Sequence, residues 1–285
     1  MIMEPSDARL EAFTKTVWEQ GRELYRDLPW RNTHDPYAIL LSEVMLQQTQ
    51  VARVLGRWEQ WLETFPTVAA LAAAPLPPVL ELWQGMGYNR RALNLKRCAE
   101  EVVTSYGGIV PSDKKALLGL PGIGPSTSAG VRIFAFEQPD MYLETNVRAV
   151  FIHEFFDEQE AVSDKELAPL VEATCPDDAR VRNWYYALLD YGAHLKKTTV
   201  NPTRRSKQYV RQSKFEGSHR QKRAYVLRRI IDEALTDEQI ARDLALSERE
   251  TGRDAPTLGE VRAILAELER EGFIARQEDL WLCAE

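Results

Sequence analysis

No apolar run in this chain approaches the ~18 residues that a membrane-crossing helix needs. The most apolar stretch, Val68 to Trp83, is interrupted by Pro75, Pro77 and Pro78, which points to a soluble, globular protein with no membrane partner. Cysteine is scarce: Cys98, Cys175 and Cys283 stand far apart, too few for a disulfide framework and without metal-ligand spacing, so they are expected to be packing residues. The N-terminus, MIMEPSDARL, carries acid early and lacks a basic segment followed by an apolar one, so no secretion signal is expected and the cytoplasm is the expected location. Alternating strand patterning is missing until the last dozen residues. What remains is helical periodicity, in 285 residues that are 44% hydrophobic, enough for about two domains.

Positive charge is also short overall, and a net charge of −7 sets the chain against polyanions as a whole. Its distribution says otherwise. Residues 196–229 hold twelve Lys or Arg against Glu216 alone, whereas residues 236–285 hold thirteen acids and six arginines. A basic band of local charge +11 therefore precedes an acidic tail of charge −7. Nucleic acid is drawn to the first and repelled by the second.

The expected fold class is all-α. In residues 43–62 the apolar Val44, Val51, Leu55, Trp58 and Leu62 recur at helical spacing, while Glu43, Gln47 and Gln50 fall on another face, which predicts one helix with a polar stripe. Further helices are expected at about 7–27, 66–73, 77–84, 89–105, 113–119, 125–136, 145–155, 163–173 and 178–193. From about 219 a helix to roughly 235 is followed by two helices opened by capping boxes, Thr236 to Gln239 and Thr257 to Glu260, the second stopped by Gly272. FIARQ and LWLCA around Glu278 and Asp279 read as a hairpin, so a small winged-helix-like module is expected over 219–285. Its third helix carries Glu260, Glu267, Glu269 and Glu271, which suits packing or a partner better than base reading.

The most informative run is LPGIGPST, residues 120–127, between two expected helices. Gly122 and Gly124 permit a tight turn and leave backbone N–H groups uncovered where a helix begins, a place that suits a phosphate. An ordinary interhelical turn would look the same, and its context separates the two. LPWR at 28–31, PYAILLSEVMLQQTQV at 36–51, FPTV at 65–68, LWQGMGYNRRALNL at 82–95 and LETNVRAV at 143–150 join it in an order and spacing that resemble MutY-type adenine DNA glycosylases of the helix-hairpin-helix superfamily. The resemblance covers roughly residues 8–195. It implies a terminal-helix lobe from 1–30 and 137–215, a six-helix lobe over 31–136 that contains the hairpin, and double-stranded DNA bearing a lesion or mispair as partner. It also implies a bacterial-type, nucleoid-associated location.

Cutting an N-glycosidic bond builds positive charge on the sugar and negative charge on the leaving base, so an anion and a proton donor are needed and no metal is. By resemblance Glu43 protonates the adenine ring and helps position water, Asn146 and Arg31 support the sugar and the pocket, Tyr88 wedges into the base stack, and Gln47 fills the gap left by the flipped base. Gly122, Gly124 and Ser126 belong to the hairpin that grips the backbone.

The sequence departs from the family in four places. Glu144 stands where the family has aspartate, which moves the carboxylate by about one bond; a shift of ~1 Å costs on the order of a hundredfold in a preorganised site, and a structural acid at a helix start is the bland alternative. Ser126 stands where bifunctional relatives resembling endonuclease III carry a nucleophilic lysine, so a monofunctional enzyme is expected, with Lys114 and Lys115 near enough in sequence for residual lyase activity. The four cysteines of the family's iron–sulfur loop, due from about Lys196, are absent; no cluster is expected, and a monovalent cation at the hairpin is the one cofactor the resemblance leaves open. A basic stretch ending SKFEGSHR at 213–220, with Lys214 and Arg220, is expected to take over backbone binding. Finally, the winged-helix-like module replaces the domain that recognises 8-oxoguanine. The sequence thus leaves open excision of adenine, excision of a pyrimidine such as 5-hydroxymethyluracil, uracil or mismatched thymine, or a non-catalytic DNA-binding regulator.

Overall fold

A computed structural model describes residues 6–156, 159–211 and 214–284. The first five residues of the N-terminal stretch and Ser213 of the basic stretch lie outside the described residues. The helices are α1 Asp7–Glu23, α2 Pro36–Leu46, α3 Val51–Val54, α4 Arg57–Thr64, α5 Val68–Ala73, α6 Leu76–Trp83, α7 Arg90–Tyr106, α8 Lys114–Gly119, α9 Pro125–Phe136, α10 Thr145–Phe155, α11 Asp164–Thr174, α12 Val181–Thr198, α13 His219–Asp232, α14 Asp237–Glu250 and α15 Leu258–Glu271. One antiparallel hairpin, β1 Ile274–Gln277 with β2 Leu280–Cys283, ends the described chain. The fold is mostly α, and no helix is long and apolar enough to cross a membrane among the described residues.

The single helix expected over 43–62 is instead three. α2 stops at Leu46, Gln48 takes a positive φ of 51°, and after the short α3 a second break falls at Gly56 with φ 79°. The apolar spacing that suggested continuity comes from separate segments, each burying its own hydrophobic residues, Val44 on α2, Val54 on α3 and Trp58 with Trp61 on α4.

The chain packs into two compact units: residues 1–44 with 110–211, and 45–109 with 212–285. These bounds differ from the lobes expected at 31 and 136, and each unit is built from two stretches distant in sequence. The first unit is organised around α10 and α12. Phe13, Val17, Phe151, Trp184 and Tyr185 lie in its core, with the Phe13 and Phe151 rings 4.9 Å apart and Phe134 stacked on Tyr186 at 4.6 Å. Burying side chains of this size, at roughly 25 cal/mol per Å² of apolar surface, is what holds the helices on one another.

In the second unit Trp61 meets Phe65 and Trp83 edge-on, and the Trp83 indole donates to Gly87 O at 3.0 Å. The C-terminal stretch of that unit has the three helices and hairpin read from the sequence. Both capping boxes form, at Thr236 with Gln239 and at Thr257 with Glu260, and Gly272 closes α15 in the left-handed conformation. Leu235 and Trp281 exchange backbone hydrogen bonds of 3.2 and 2.8 Å, and the Trp281 indole donates to Asp237 Oδ1 at 2.7 Å, locking the hairpin onto α14.

Candidate active site

The site is built in the first unit by α2, α9, α10 and α12. Glu43 lies on α2, whose other side chains from Tyr37 to Met45 are almost all buried. Enclosure pushes the Glu43 carboxyl up to about 8, and the charge of Glu144 pushes the same way; the hydrogen bond donated by the Tyr142 hydroxyl offsets only part of this. At neutral pH Glu43 therefore carries a proton. Its place is kept open by Gly130 on α9. A Cβ there would fall 2.6 Å from Glu43 Cδ, so only a residue with no side chain leaves the carboxyl its position.

Glu144 is held differently. It is the N-cap of α10, and its Oε1 accepts from the backbone N–H of Asn146 at 2.5 Å and of Val147 at 3.1 Å. Burial raises its pKa, while those two N–H groups and the charges of Lys196 and Arg148 pull it back toward the ionised form. Lys196, near the end of α12, donates to Asn146 Oδ1 at 3.0 Å. α10 and α12 approach so closely that a Cβ on Gly192 would lie 2.7 Å from the carbonyl carbon of Asn146.

Glu43, Glu144 and Asn146 are thus brought together in the first unit. Tyr142 and Lys196 were missed as site residues. Tyr142 stands two positions before Glu144, and Lys196 was counted only as one charge of the basic band, so neither carried a motif of its own.

Arg31 is placed elsewhere in the same unit. It is buried and bidentate to Asp190, at 2.7 and 2.8 Å, and its guanidinium lies 4.4 Å from the centre of the Tyr186 ring. The Tyr186 phenol feels the charges of both Arg31 and Glu43, so Arg31 supports the wall behind the acid and is a positioning residue. The hairpin follows the expected pattern of turn and helix start: Asp113 caps α8, Gly122 has φ 77°, and Gly124 is the N-cap of α9, with Gly122 and Ser126 exposed. Lys114 is engaged by Asp140 at 2.6 Å, which together with Arg132 ties α8 to α9, while Lys115 is exposed.

Gln47, Tyr88, Lys214 and Arg220 belong to the second unit. Tyr88 sits between Gly87 and α7 with a positive φ of 49° and is 41% exposed. One residue the sequence did not single out, Arg91, binds both loops of this region. Its guanidinium donates to Gln47 O at 2.7 Å, Met45 O and Gly87 O at 3.0 Å and Met86 O at 3.1 Å, and burial lowers its pKa to about 10. Arg220 donates to the Tyr88 hydroxyl at 3.2 Å, and Lys214 pairs with Glu216 at 3.0 Å.

The segment where the family carries its cluster does not fit one. It has no thiolate, and its place is taken by a 3-10 turn, Pro202–Arg205, with Pro202 and Thr203 buried. Arg205 turns inward and donates to Phe156 O and, at 3.3 Å, to Ile152 O, satisfying carbonyls at the end of α10. Part of the basic band is therefore occupied inside the protein. Arg223 pairs with Glu267 and Glu271, at 2.6 and 2.9 Å, and Arg229 with Asp243 at 2.8 Å. The three thiols are raised by burial, Cys98 to about 12 and Cys283 to about 11, which keeps them protonated. No group of three or more His, Cys, Asp or Glu is placed to hold a metal among the described residues.

The chain is similar to several known proteins. The adenine DNA glycosylase of Mycolicibacterium smegmatis is 40% identical over 169 residues, 59% of this chain and 58% of that protein. The thymine/uracil-DNA glycosylase of Methanothermobacter thermautotrophicus is 32% identical over 181 residues, 62% of this chain and 80% of that protein. The chain spans about half the length of the adenine-specific relatives, 58% of the M. smegmatis protein and 42% of one from Mycobacterium tuberculosis. Among solved structures, a thermostable thymine-DNA glycosylase superposes with a TM-score of 0.59 at 28% identity, covering 66% of this chain and 87% of that one. A trapped endonuclease III–DNA intermediate, at 19% identity with a TM-score of 0.57 over 67% of this chain and 88% of its own, shares the fold. The HhH-GPD superfamily of base excision DNA repair proteins matches residues 41–183, half of the chain, and this protein belongs to it.

Proposed function

We propose that the chain is a DNA N-glycosylase that flips one base from a duplex and hydrolyses its bond to the sugar, with adenine as the base. The observation that carries this reading is a pair of glutamates with unequal support: Glu43 pushed up to about 8 by burial beside Tyr142, and Glu144 raised by burial but countered by two N–H groups, Lys196 and Arg148. As the C1′–N bond breaks, its electrons go to the base, and Glu43 delivers its proton to a ring nitrogen. Glu144 faces the cation that develops at C1′, and water adds there, giving one proton to the Glu43 carboxylate, to leave an abasic site. With Ser126 at the hairpin position where a nucleophilic lysine would stand, the strand is left unbroken. The adenine assignment follows the names of the relatives at 40% and 44% identity. The thymine/uracil relative and the thymine-DNA glycosylase structure favour mismatched thymine or uracil as the second reading.

The test is base release from labelled duplexes containing adenine opposite guanine or 8-oxoguanine, uracil, or thymine opposite guanine, read as strand breaks after hot alkali. Breaks at adenine, absent without alkali, are expected. Breaks at the pyrimidines alone would replace the substrate assignment, and no release from any duplex would refute the enzyme reading.

A further inference from the structure

We propose that a groove in the second unit, between the Tyr88 loop and α13, takes the DNA strand complementary to the one whose base is excised. It rests on the glycosylase reading for which strand is which. Its volume is about 1160 Å³, above the roughly 300–1,000 Å³ of clefts shaped for small molecules.

The groove's chemistry is that of a nucleic-acid track. Arg53, Arg220 and Arg228 line it, together with Phe215 and Tyr88, which are 53% and 41% exposed. Guanidinium groups bind phosphates and stack on bases, and exposed aromatic rings take an unstacked base of any identity. Glu271 is the one acid in the lining, and Arg90 and Arg223 occupy it at 2.9 Å each. In a chain of net charge −7 whose last fifty residues are strongly acidic, a lining with so little negative charge is a local arrangement. On α15, Glu267 and Glu271 pair with His219 and Arg223, and Arg228 on α13 is exposed.

The two walls are joined. Arg220 donates to the Tyr88 hydroxyl, and Arg97 of α7 donates to Glu271 O at 3.4 Å, so the C-terminal stretch is docked on the helix that carries the wedge loop. A side chain intruding into the stack beside an emptied position leaves the opposite base without its partner. The strand left behind is the polyanion this groove has to serve, with Arg53 and Arg228 on its phosphates and Phe215 against its unpaired base.

The test uses the full-length protein on a duplex with a stable abasic analogue in one strand, which cannot be processed. 4-Thiothymidine is placed at or beside the opposed position, or in the analogue strand, and irradiated. Cross-links from the complementary strand to residues 215–228 are expected. Cross-links there only from the analogue strand, or none there although the duplex is bound, would overturn the proposal, as would failure to bind the duplex. In parallel, Arg53→Ala with Arg228→Ala is expected to weaken duplex binding at least tenfold and to lower the slope of log Kd against log salt by about two, one for each phosphate that is no longer neutralised; an unchanged slope would also overturn it. Base release by the unmodified protein is scored separately. Cross-linking without release would leave the groove standing and remove the glycosylase reading, and release without cross-linking would do the reverse.

Discussion

The surroundings of Glu43 and of Glu144 make an instructive contrast, because the residue type and the unit are the same. Around Glu43 there are a phenol, a glycine and enclosure, and its pKa climbs to about 8. Burial raises Glu144 as well, but the start of α10, Lys196 and Arg148 each act against that rise. With burial common to both, the counter-groups make the difference. The side chain of Glu144, one carbon longer than the family's aspartate, folds back to cap the helix.

The largest effect that would test this contrast is the loss of the proton donor. Glu43→Gln is expected to slow single-turnover base release by about 10² to 10⁴ with DNA binding retained; a change of less than threefold would mean that Glu43 does not act as the acid. The same variant has a thermodynamic signature. The folded protein holds a proton on Glu43 that the unfolded chain gives up near pH 4.5, so wild-type stability falls as pH rises from there to about 8 and is level beyond. Glu43→Gln should remove that slope and gain on the order of a few kcal/mol over wild type at pH 8, measured by denaturant unfolding across pH.

Next in size is Lys196→Met. Without the ammonium Glu144 is harder to ionise, so the acidic limb of the rate profile should move to higher pH, with the loss of rate largest on the acid side and shrinking as pH rises. A uniform loss at every pH would point to disturbed packing of Asn146 instead. The smallest expected change is that of Tyr142→Phe. Because the phenol's hydrogen bond lowers the Glu43 pKa, its removal should shift the alkaline limb upward and alter the rate at pH 7 by only a few-fold; a downward shift would contradict the assigned hydrogen bond.

Much of this was legible in the chain. Helix starts at Asp113, Thr236 and Thr257 announce themselves by short-range chemistry, a side-chain oxygen and the N–H three residues on, and the structure has them at those positions. The break between α2 and α3 was not legible, because nothing in Gln47 to Gln50 marks a left-handed residue at Gln48. Gly56 was a visible signal overridden by apolar spacing. Arg91, Tyr142 and Lys196 share another reason. Each acts on groups 44, 99 or 50 positions away, and periodicity reports which side of an element a residue faces but not which distant atom it will meet. Arg31 shows the converse, a motif position whose side chain is spent on Asp190 and the Tyr186 ring.

The protonation of Glu43 has a consequence for encounter as well as for chemistry. A polyanion approaching the first unit at neutral pH meets Glu43 in its neutral form. The long-range repulsion that this carboxylate would exert is therefore absent at that pH. Above about pH 8 the site gains a full negative charge, and the rate of association with DNA should fall together with the rate of cleavage, most steeply at low ionic strength.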